Sequence, residues 1–181
     1  MTKHTYLITG PSGAGKTAVA ELLATQGVTS IDADSTPGLC YFVNKNNKPV
    51  PYPPHADTGW WTSHNYIFEI DRLAKLIATH EPGGGPVFVS GNAGNIAKAW
   101  DMFETVFYLD IPSDLMLSRT KGLTNGENFG QRVDDKKQLV GWAEPFKEEM
   151  VGLGAVVIDA TKPLAQVTSE ILAHAKKTAA K

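Results

Sequence analysis

The stretch Gly10-Pro11-Ser12-Gly13-Ala14-Gly15-Lys16-Thr17 decides how the rest of this 181-residue chain is interpreted. It matches the pattern G-x-x-x-x-G-K-[ST], in which glycines let backbone N–H groups turn toward a bound phosphate. Before it, residues 4–9 are short, β-branched and aromatic, and predict a strand. After it, apolar residues recur at helical spacing and predict a helix from Lys16 to about Gln26. Strand, loop and helix are the context that the motif requires, so residues 10–17 are predicted to bind a nucleotide.

The same motif assigns roles to two side chains and to the helix. Lys16 is expected to reach the β- and γ-phosphates, and the Thr17 hydroxyl is expected to bind Mg²⁺. The N-terminus of the helix adds a partial positive charge that favours the phosphates. The alternative is a glycine-rich turn that binds nothing.

Composition and charge limit the classes of protein. The chain is 42% hydrophobic and 20% charged, as expected for one globular domain, residues 1–181, and its net charge is −2. Cys40 is the only cysteine, which excludes an internal disulfide and fits a reducing compartment. No apolar run approaches the roughly 18 residues of a membrane span. We expect a cytoplasmic protein, monomeric or homodimeric, with a small molecule rather than nucleic acid or a membrane as its partner.

Further apolar runs at 28–32, 86–90, 105–111 and 155–159 predict four more strands, which alternate with helices. They are continuous rather than alternating in polarity, which is typical of a parallel sheet covered on both faces. In such sheets ligands bind at the carboxyl ends of the strands. The sequence therefore predicts an α/β domain with its site at that edge.

Residues 36–62 interrupt this alternation with five prolines and many aromatic side chains. Segments 40–43 and 48–52 are predicted to form a small hairpin. Ser63 is expected to cap a helix whose apolar face comprises Tyr66, Ile67, Ile70, Leu73, Ala74 and Ile77. Irregular segments of this length in a compact domain are usually functional.

On these motifs the chain resembles the P-loop kinase superfamily, which includes adenylate, thymidylate and shikimate kinases. Within it, the chain is similar to small kinase-like proteins often labelled only as ATPases. The resemblance implies a five-stranded parallel sheet of order 2-3-1-4-5, a lid at about 121–132 and a substrate-binding insert at about 36–62. It also implies ATP and Mg²⁺ as cofactors, with ATP contacts from Gly10, Pro11, Ser12, Gly13, Ala14, Gly15, Lys16 and Thr17.

The resemblance also assigns roles after the second and third strands. Asp32 and Asp34 resemble a D-x-D in which the first carboxylate helps to hold Mg²⁺ and the second contacts the acceptor hydroxyl. Gly91 and Asn92 fall where small residues line the acceptor pocket. The residues alone leave alternatives open, namely solvated strand-end carboxylates and a strand-to-helix turn that Asn92 caps.

For the nucleotide, Arg119 falls where the family's lid begins, at a position that stacks on adenine or clamps phosphate oxygens and assists catalysis. Arg132 would enter on lid closure. Lys162 and Pro163 belong to a segment, 159–163, that resembles the adenine-contacting loop. The alternatives are an exposed arginine at a helix end and an ordinary capped helix start.

Two features bear on the acceptor. Trp60 and Trp61 are adjacent, and in an extended backbone both cannot point inward, so one is expected to face a planar ligand. The chain has only three arginines, Arg72, Arg119 and Arg132, whereas acceptor phosphates are usually gripped by arginine forks. These features favour an acceptor without a phosphate. If the acceptor carries a phosphate, Arg72 is expected to bind it.

Lys16, Asp34 and Arg119 are therefore the predicted catalytic residues of an ATP- and Mg²⁺-dependent kinase acting on a nucleoside or a similar hydroxyl-bearing ring. A nucleoside monophosphate kinase is the alternative within the class. From another class, the chain is an NTPase or switch protein acting through a protein partner, which would need no acceptor pocket. A kinase fold that binds nucleotide without turnover is a further possibility.

Overall fold

A computed structural model describes residues 4–54, 56–80, 84–120 and 133–179. Five strands form a large sheet: β1 (Thr5–Thr9), β2 (Thr29–Asp32), β6 (Val87–Ser90), β7 (Thr105–Asp110) and β8 (Val156–Asp159). Three others form a small sheet: β3 (Cys40–Asn44), β4 (Pro49–Val50) and β5 (His64–Phe68). The helices are α1 (Lys16–Thr25), α2 (Thr58–Trp61), α3 (Ile70–His80), α4 (Ile96–Ala99), α5 (Ser113–Thr120), α6 (Val133–Gly152) and α7 (Leu164–Ala179). Within the described ranges, no helix is long and apolar enough to cross a membrane.

The large sheet is parallel throughout, in the order β2-β6-β1-β7-β8. When the strands of the small sheet are left out of the count, this is the predicted order 2-3-1-4-5. The fold-class prediction is confirmed. Because the strands are parallel, all five carboxyl ends lie at one edge, where the segments after β1, β2 and β6 meet.

The strands are apolar on both faces because helices cover both. Along β1, Leu7 enters one core whereas Tyr6 and Ile8 enter the other, and β6 divides its residues in the same way. The first core includes residues of α3, α4 and α6, among them Leu73, Ile77, Ile96, Phe146 and Met150. The second includes residues of α1, α5 and α7, among them Val19, Leu23, Met116, Val167 and Ile171.

The small sheet is the insert between β2 and α3, and its order is β4-β3-β5 with antiparallel pairing. The predicted hairpin is present as β3 and β4. The predicted helix from Ser63 is wrong, because residues 64–68 form strand β5 and the helix begins only at Ile70. Tyr66 pairs with Phe42 across the two strands, so cross-strand pairing decides the local structure.

The predicted lid at 121–132, with Arg132, lies outside the described residues. Helix α5 ends at Thr120 and helix α6 begins at Val133, on either side of that segment. The division into one domain with an insert and a lid stays a proposal.

Gly91 joins the insert to the large sheet and provides a test of the packing. A Cβ at Gly91 would lie 2.8 Å from the Cβ of Ala33 and 3.3 Å from the Phe68 ring, closer than carbon atoms pack. We expect Gly91→Ala to lower the free energy of unfolding by about 1–3 kcal/mol, as overpacking does, measured by urea denaturation.

Gly141→Ala is the matched control, since a Cβ there would meet no atom of the described residues within 4 Å. In helix α6 this change should stabilise the protein by up to about 1 kcal/mol. Equal effects of the two substitutions would contradict the packing described for Gly91.

Candidate active site

The loop after β1 is packed so closely that two of its glycines have no room for a side chain. Gly10 has φ +147°, and a Cβ on it would lie 2.7 Å from the Leu109 carbonyl oxygen. Gly13 has φ +80°, and its Cβ would lie 3.0 Å from the Met116 carbonyl oxygen. The loop is therefore wedged between the end of β7 and helix α5, with a conformation that only glycine adopts without strain.

Lys16 lies across this loop. Its Nζ donates hydrogen bonds to the carbonyl oxygens of Gly10 and Pro11, both at 3.0 Å. Among the described residues, no side chain caps the N-terminus of α1 at Gly15, so its backbone N–H groups remain open to an anion. Burial lowers the pKa of the Lys16 ammonium, and the charges of Asp34 and Asp32 oppose that shift.

The segment after β2 is organised by Asp32. Its Oδ1 accepts hydrogen bonds from the backbone N–H of Asp34 at 3.0 Å and of Ser35 at 3.4 Å. Its backbone oxygen accepts one from the Thr36 hydroxyl at 2.6 Å. This turn fixes Asp34 beside the loop and leaves the second oxygen of Asp32 available to a further ligand.

Asp34 has a second partner from the insert. The Tyr66 hydroxyl donates to Asp34 Oδ1 at 3.1 Å. Although Asp34 is exposed on one side, desolvation raises the pKa of its carboxyl, and the Lys16 charge and the Tyr66 hydrogen bond oppose this. Burial and the neighbouring Asp34 raise the pKa of the Tyr66 phenol, so it stays a donor near neutral pH.

The residues fit a Mg²⁺ ion held mainly through the phosphates of a nucleotide. Thr17 is an exposed residue at the start of α1, and the half-buried Asp32 supplies one carboxylate. In the described ranges, no group of three or more His, Cys, Asp or Glu side chains could enclose a metal ion. Oxygen ligands few in number, completed by water and phosphate, are what Mg²⁺ takes in phosphoryl-transfer sites.

Buried oxygens at the strand ends add to the polarity of this edge. Thr9 Oγ1, Ser90 Oγ and Asn92 Oδ1 are buried without a hydrogen-bond partner from the described protein atoms. Buried polar groups are normally paired, so these are atoms that water or a ligand would satisfy. Asn92, a predicted acceptor contact, belongs to this group, whereas Gly91 packs against Ala33 and Phe68.

Arg119 lies between the loop and the segment after β8. Its Nη1 donates to the Ala160 carbonyl oxygen at 3.1 Å, and its Cβ lies 3.4 Å from where a Cβ on Gly13 would be. Lys162 instead pairs with Glu170 of α7 at 3.0 Å, and Pro163 precedes the first turn of that helix. Arg119 is thus next to the 10–17 loop, while the ammonium of Lys162 is directed to α7.

A cleft of about 770 Å³ opens beside these residues, at the ends of β7 and β8. Its lining is mostly charged and includes Asp110, Lys147, Asp159 and Lys162. Lys147 pairs with Asp110 at 2.7 Å. No residue of the 10–17 loop lines this cleft, so the cleft is separate from that loop.

Aromatic side chains fill the insert on the other side of Asp34. The Phe42 ring is central, with its centroid 4.9 Å from Trp60, 6.0 Å from Trp61, 5.4 Å from Tyr52 and 4.8 Å from Tyr66. The two tryptophans lie in the short helix α2, so the condition of an extended backbone is not met, and both join this cluster. Contact of one of them with a ligand stays a prediction. All five side chains are half-buried, so each keeps an exposed part.

Arg72 faces the segment that follows Asp34. It lies in helix α3, and its Cζ is 3.8 Å from where a Cβ on Gly38 would be. The side chain is exposed and is therefore accessible to a ligand at that end of the insert.

Sequence reasoning missed Tyr66, which it assigned to the apolar face of a helix. The signal was present, since His64-Asn65-Tyr66-Ile67-Phe68 is rich in aromatic and β-branched residues that favour strands. It also missed Asn95, whose side chain donates to the Phe68 carbonyl oxygen at 2.9 Å and accepts from the Phe68 N–H at 2.8 Å.

Solved structures of kinases superpose on nearly the whole chain. A shikimate kinase from Acinetobacter baumannii, in complex with shikimate, gives a TM-score of 0.57 at 17% identity, over 94% of this chain and 92% of that one. A gluconokinase from Sinorhizobium meliloti gives 0.56 at 18% identity, over 96% and 91%. The chain has the P-loop kinase fold.

A deoxyadenosine kinase from M. mycoides with bound dATP shares this P-loop kinase fold at a TM-score of 0.51 and 12% identity, over 93% of this chain and 97% of that one. No protein-family profile and no curated protein matches the sequence. At these identities the similarity establishes the fold, and the acceptor has to be inferred from the chain's own residues.

The environment of Cys40 tests the geometry around Asp34 and Tyr66. Burial, assisted by the charge of Asp34, raises the pKa of the Cys40 thiol from 9.0 to about 12, so at pH 8 its reactive thiolate is depleted about 1,000-fold. A thiolate of higher pKa is more nucleophilic, which offsets part of this factor. We expect Cys40 to react with a disulfide reagent about 50-fold more slowly in the native chain than in the urea-unfolded chain. Equal rates would contradict the described surroundings.

Proposed function

We propose that this protein is an ATP- and Mg²⁺-dependent small-molecule kinase that transfers the γ-phosphate to a hydroxyl of a nucleoside or a similar uncharged ring. The observation that carries the proposal is the arrangement of Lys16 and Asp34. Transfer of a phosphate to a hydroxyl needs a lysine on a phosphate-binding loop and a carboxylate at the same edge of the sheet. Similarity in fold to three small-molecule kinases supports the class.

In this proposal the loop binds the phosphates through its backbone N–H groups, and Lys16 exchanges its bonds to Gly10 and Pro11 for phosphate oxygens. Bound Mg²⁺, held by Thr17 and Asp32, would neutralise charge on the β- and γ-phosphates. Asp34 orients the acceptor hydroxyl and accepts its proton. Arg119 lies beside the adenine segment and stabilises the nucleotide.

The aromatic insert supports an uncharged planar acceptor. The cluster around Phe42, with Trp60 and Trp61, offers ring faces and carries no positive charge. One observation favours the second candidate, a nucleoside monophosphate, because exposed Arg72 reaches the segment after Asp34 at Gly38. A planar ring fits both candidates, and the phosphate distinguishes them.

The acceptor class is tested by measuring phosphate transfer from ATP to nucleosides, nucleoside monophosphates and sugars. We expect transfer to nucleosides, and Lys16→Ala should lower it by about 10²–10³-fold, since one preorganised contact to the transferring group is lost. Lys75→Ala removes an exposed charge from α3 and should act like the unchanged protein. Faster transfer to monophosphates would favour the second candidate. ATP hydrolysis without transfer to any acceptor would favour an NTPase.

Asp34 is tested separately from the nucleotide site. Asp34→Asn keeps the shape of the side chain but removes the base, so the transfer rate should fall by about 10²–10⁴-fold with little change in ATP affinity. Affinity is measured by titration with a non-hydrolysable ATP analogue. If the variant loses ATP binding instead, Asp34 acts on the metal rather than on the acceptor.

A further inference from the structure

We infer that Tyr66 is a positioning residue, through which the aromatic insert holds the Asp34 carboxylate in the orientation that an acceptor hydroxyl requires. This inference rests on the proposed function, because it gives Asp34 its role there. It adds a residue from the insert to a site otherwise built from the ends of the large sheet.

The contact between the two residues is direct and selective for one oxygen. The Tyr66 hydroxyl donates to Asp34 Oδ1 at 3.1 Å. On the other side of Asp34, the turn made by Asp32 holds the backbone N–H at 3.0 Å. With its backbone and one oxygen fixed, the carboxylate presents its other oxygen, Oδ2, to the acceptor.

The position of Tyr66 is itself fixed from the large sheet. Its backbone oxygen accepts a hydrogen bond from the Gly94 N–H at 2.8 Å, in the segment after β6. Two residues further along β5, Phe68 is held at both its N–H and its carbonyl oxygen by the Asn95 side chain, at 2.8 and 2.9 Å. This strand is therefore attached to the segment that also carries Asn92.

The ring of Tyr66 connects this attachment to the acceptor side. It lies 4.8 Å from the centroid of Phe42, the centre of the aromatic cluster. An acceptor that packs on the cluster would contact the same structure that orients Asp34. Binding of the acceptor's ring is thereby coupled to alignment of the acceptor's hydroxyl. Alignment of this kind contributes to the rate of phosphate transfer rather than to ATP affinity.

The test is a double-mutant cycle of Tyr66→Phe and Asp34→Ala, because Phe keeps the ring and removes only the hydroxyl. The initial rate of ADP formation from MgATP is measured with adenosine present, so that either adenosine or water supplies the hydroxyl. Tyr66→Phe should lower kcat about tenfold and leave KM for MgATP within twofold. In the Asp34→Ala background it should change the rate less than twofold.

A second measurement, the unfolding equilibrium in urea, needs no turnover of ATP. Tyr66→Phe should increase the unfolding equilibrium constant in urea about fivefold, as loss of one hydrogen bond does, and less than twofold when Asp34 is already Ala. Tyr41→Phe is the matched control: its hydroxyl donates to Glu69, and it should leave kcat unchanged.

Additive effects of the two substitutions in both readings, or an equal loss of kcat in Tyr41→Phe, would overturn the inference. Failure of the proposed function is distinguishable, since ADP formation at the wild-type rate in Lys16→Ala would contradict the kinase itself. If Lys16→Ala forms no ADP and the cycle is additive, turnover of ATP at the 10–17 loop stands and only the positioning role of Tyr66 is lost.

Discussion

The register of strand β6 is the constraint on which the rest of the site depends. Ser90 at its end pairs with Ile8 of β1 on one side and with Asp32 of β2 on the other. The Ser90 carbonyl oxygen also accepts the Ala33 N–H at 2.8 Å. Since a slip of one residue would turn every strand side chain to the opposite face, this register is fixed by burial in two cores. This register places the 10–17 loop and the Asp32–Asp34 turn at the same edge of the large sheet.

At these strand ends, the charge of Lys16 interacts with the charges of Asp34 and Asp32. Burial lowers the pKa of Lys16, and the charges of Asp34 and Asp32 partly offset that shift. The charge of Lys16 in turn lowers the pKa of Asp34, which burial raises. A lone ion in this position would tend to neutralise itself. Lys16 and Asp34 thus each favour the charged form of the other, whereas Asp32 favours the Lys16 ammonium but opposes a second negative charge on Asp34.

The sequence predicts the large sheet well because its signals are local and redundant. Continuous apolar runs bounded by turns identify each strand, and the phosphate loop fixes which strand is central. The insert was predicted less well because Tyr66 and Ile67 fit a helical period with Ile70, whereas their structure is decided by pairing with β3, some 25 residues earlier in the chain. The Tyr66–Asp34 and Asn95–Phe68 contacts also join residues far apart in the chain, so no pattern within one segment predicts them.

The division of aromatic side chains between insert and core has a spectroscopic consequence. The chain contains four tryptophans, of which Trp60 and Trp61 belong to the aromatic cluster of the insert. The other two, Trp100 and Trp142, pack against the core beneath the large sheet. Emission from the first pair therefore reports on the insert, and emission from the second pair reports on the domain as a whole. With one pair or the other replaced by phenylalanine, local opening of the insert and global unfolding can be followed separately.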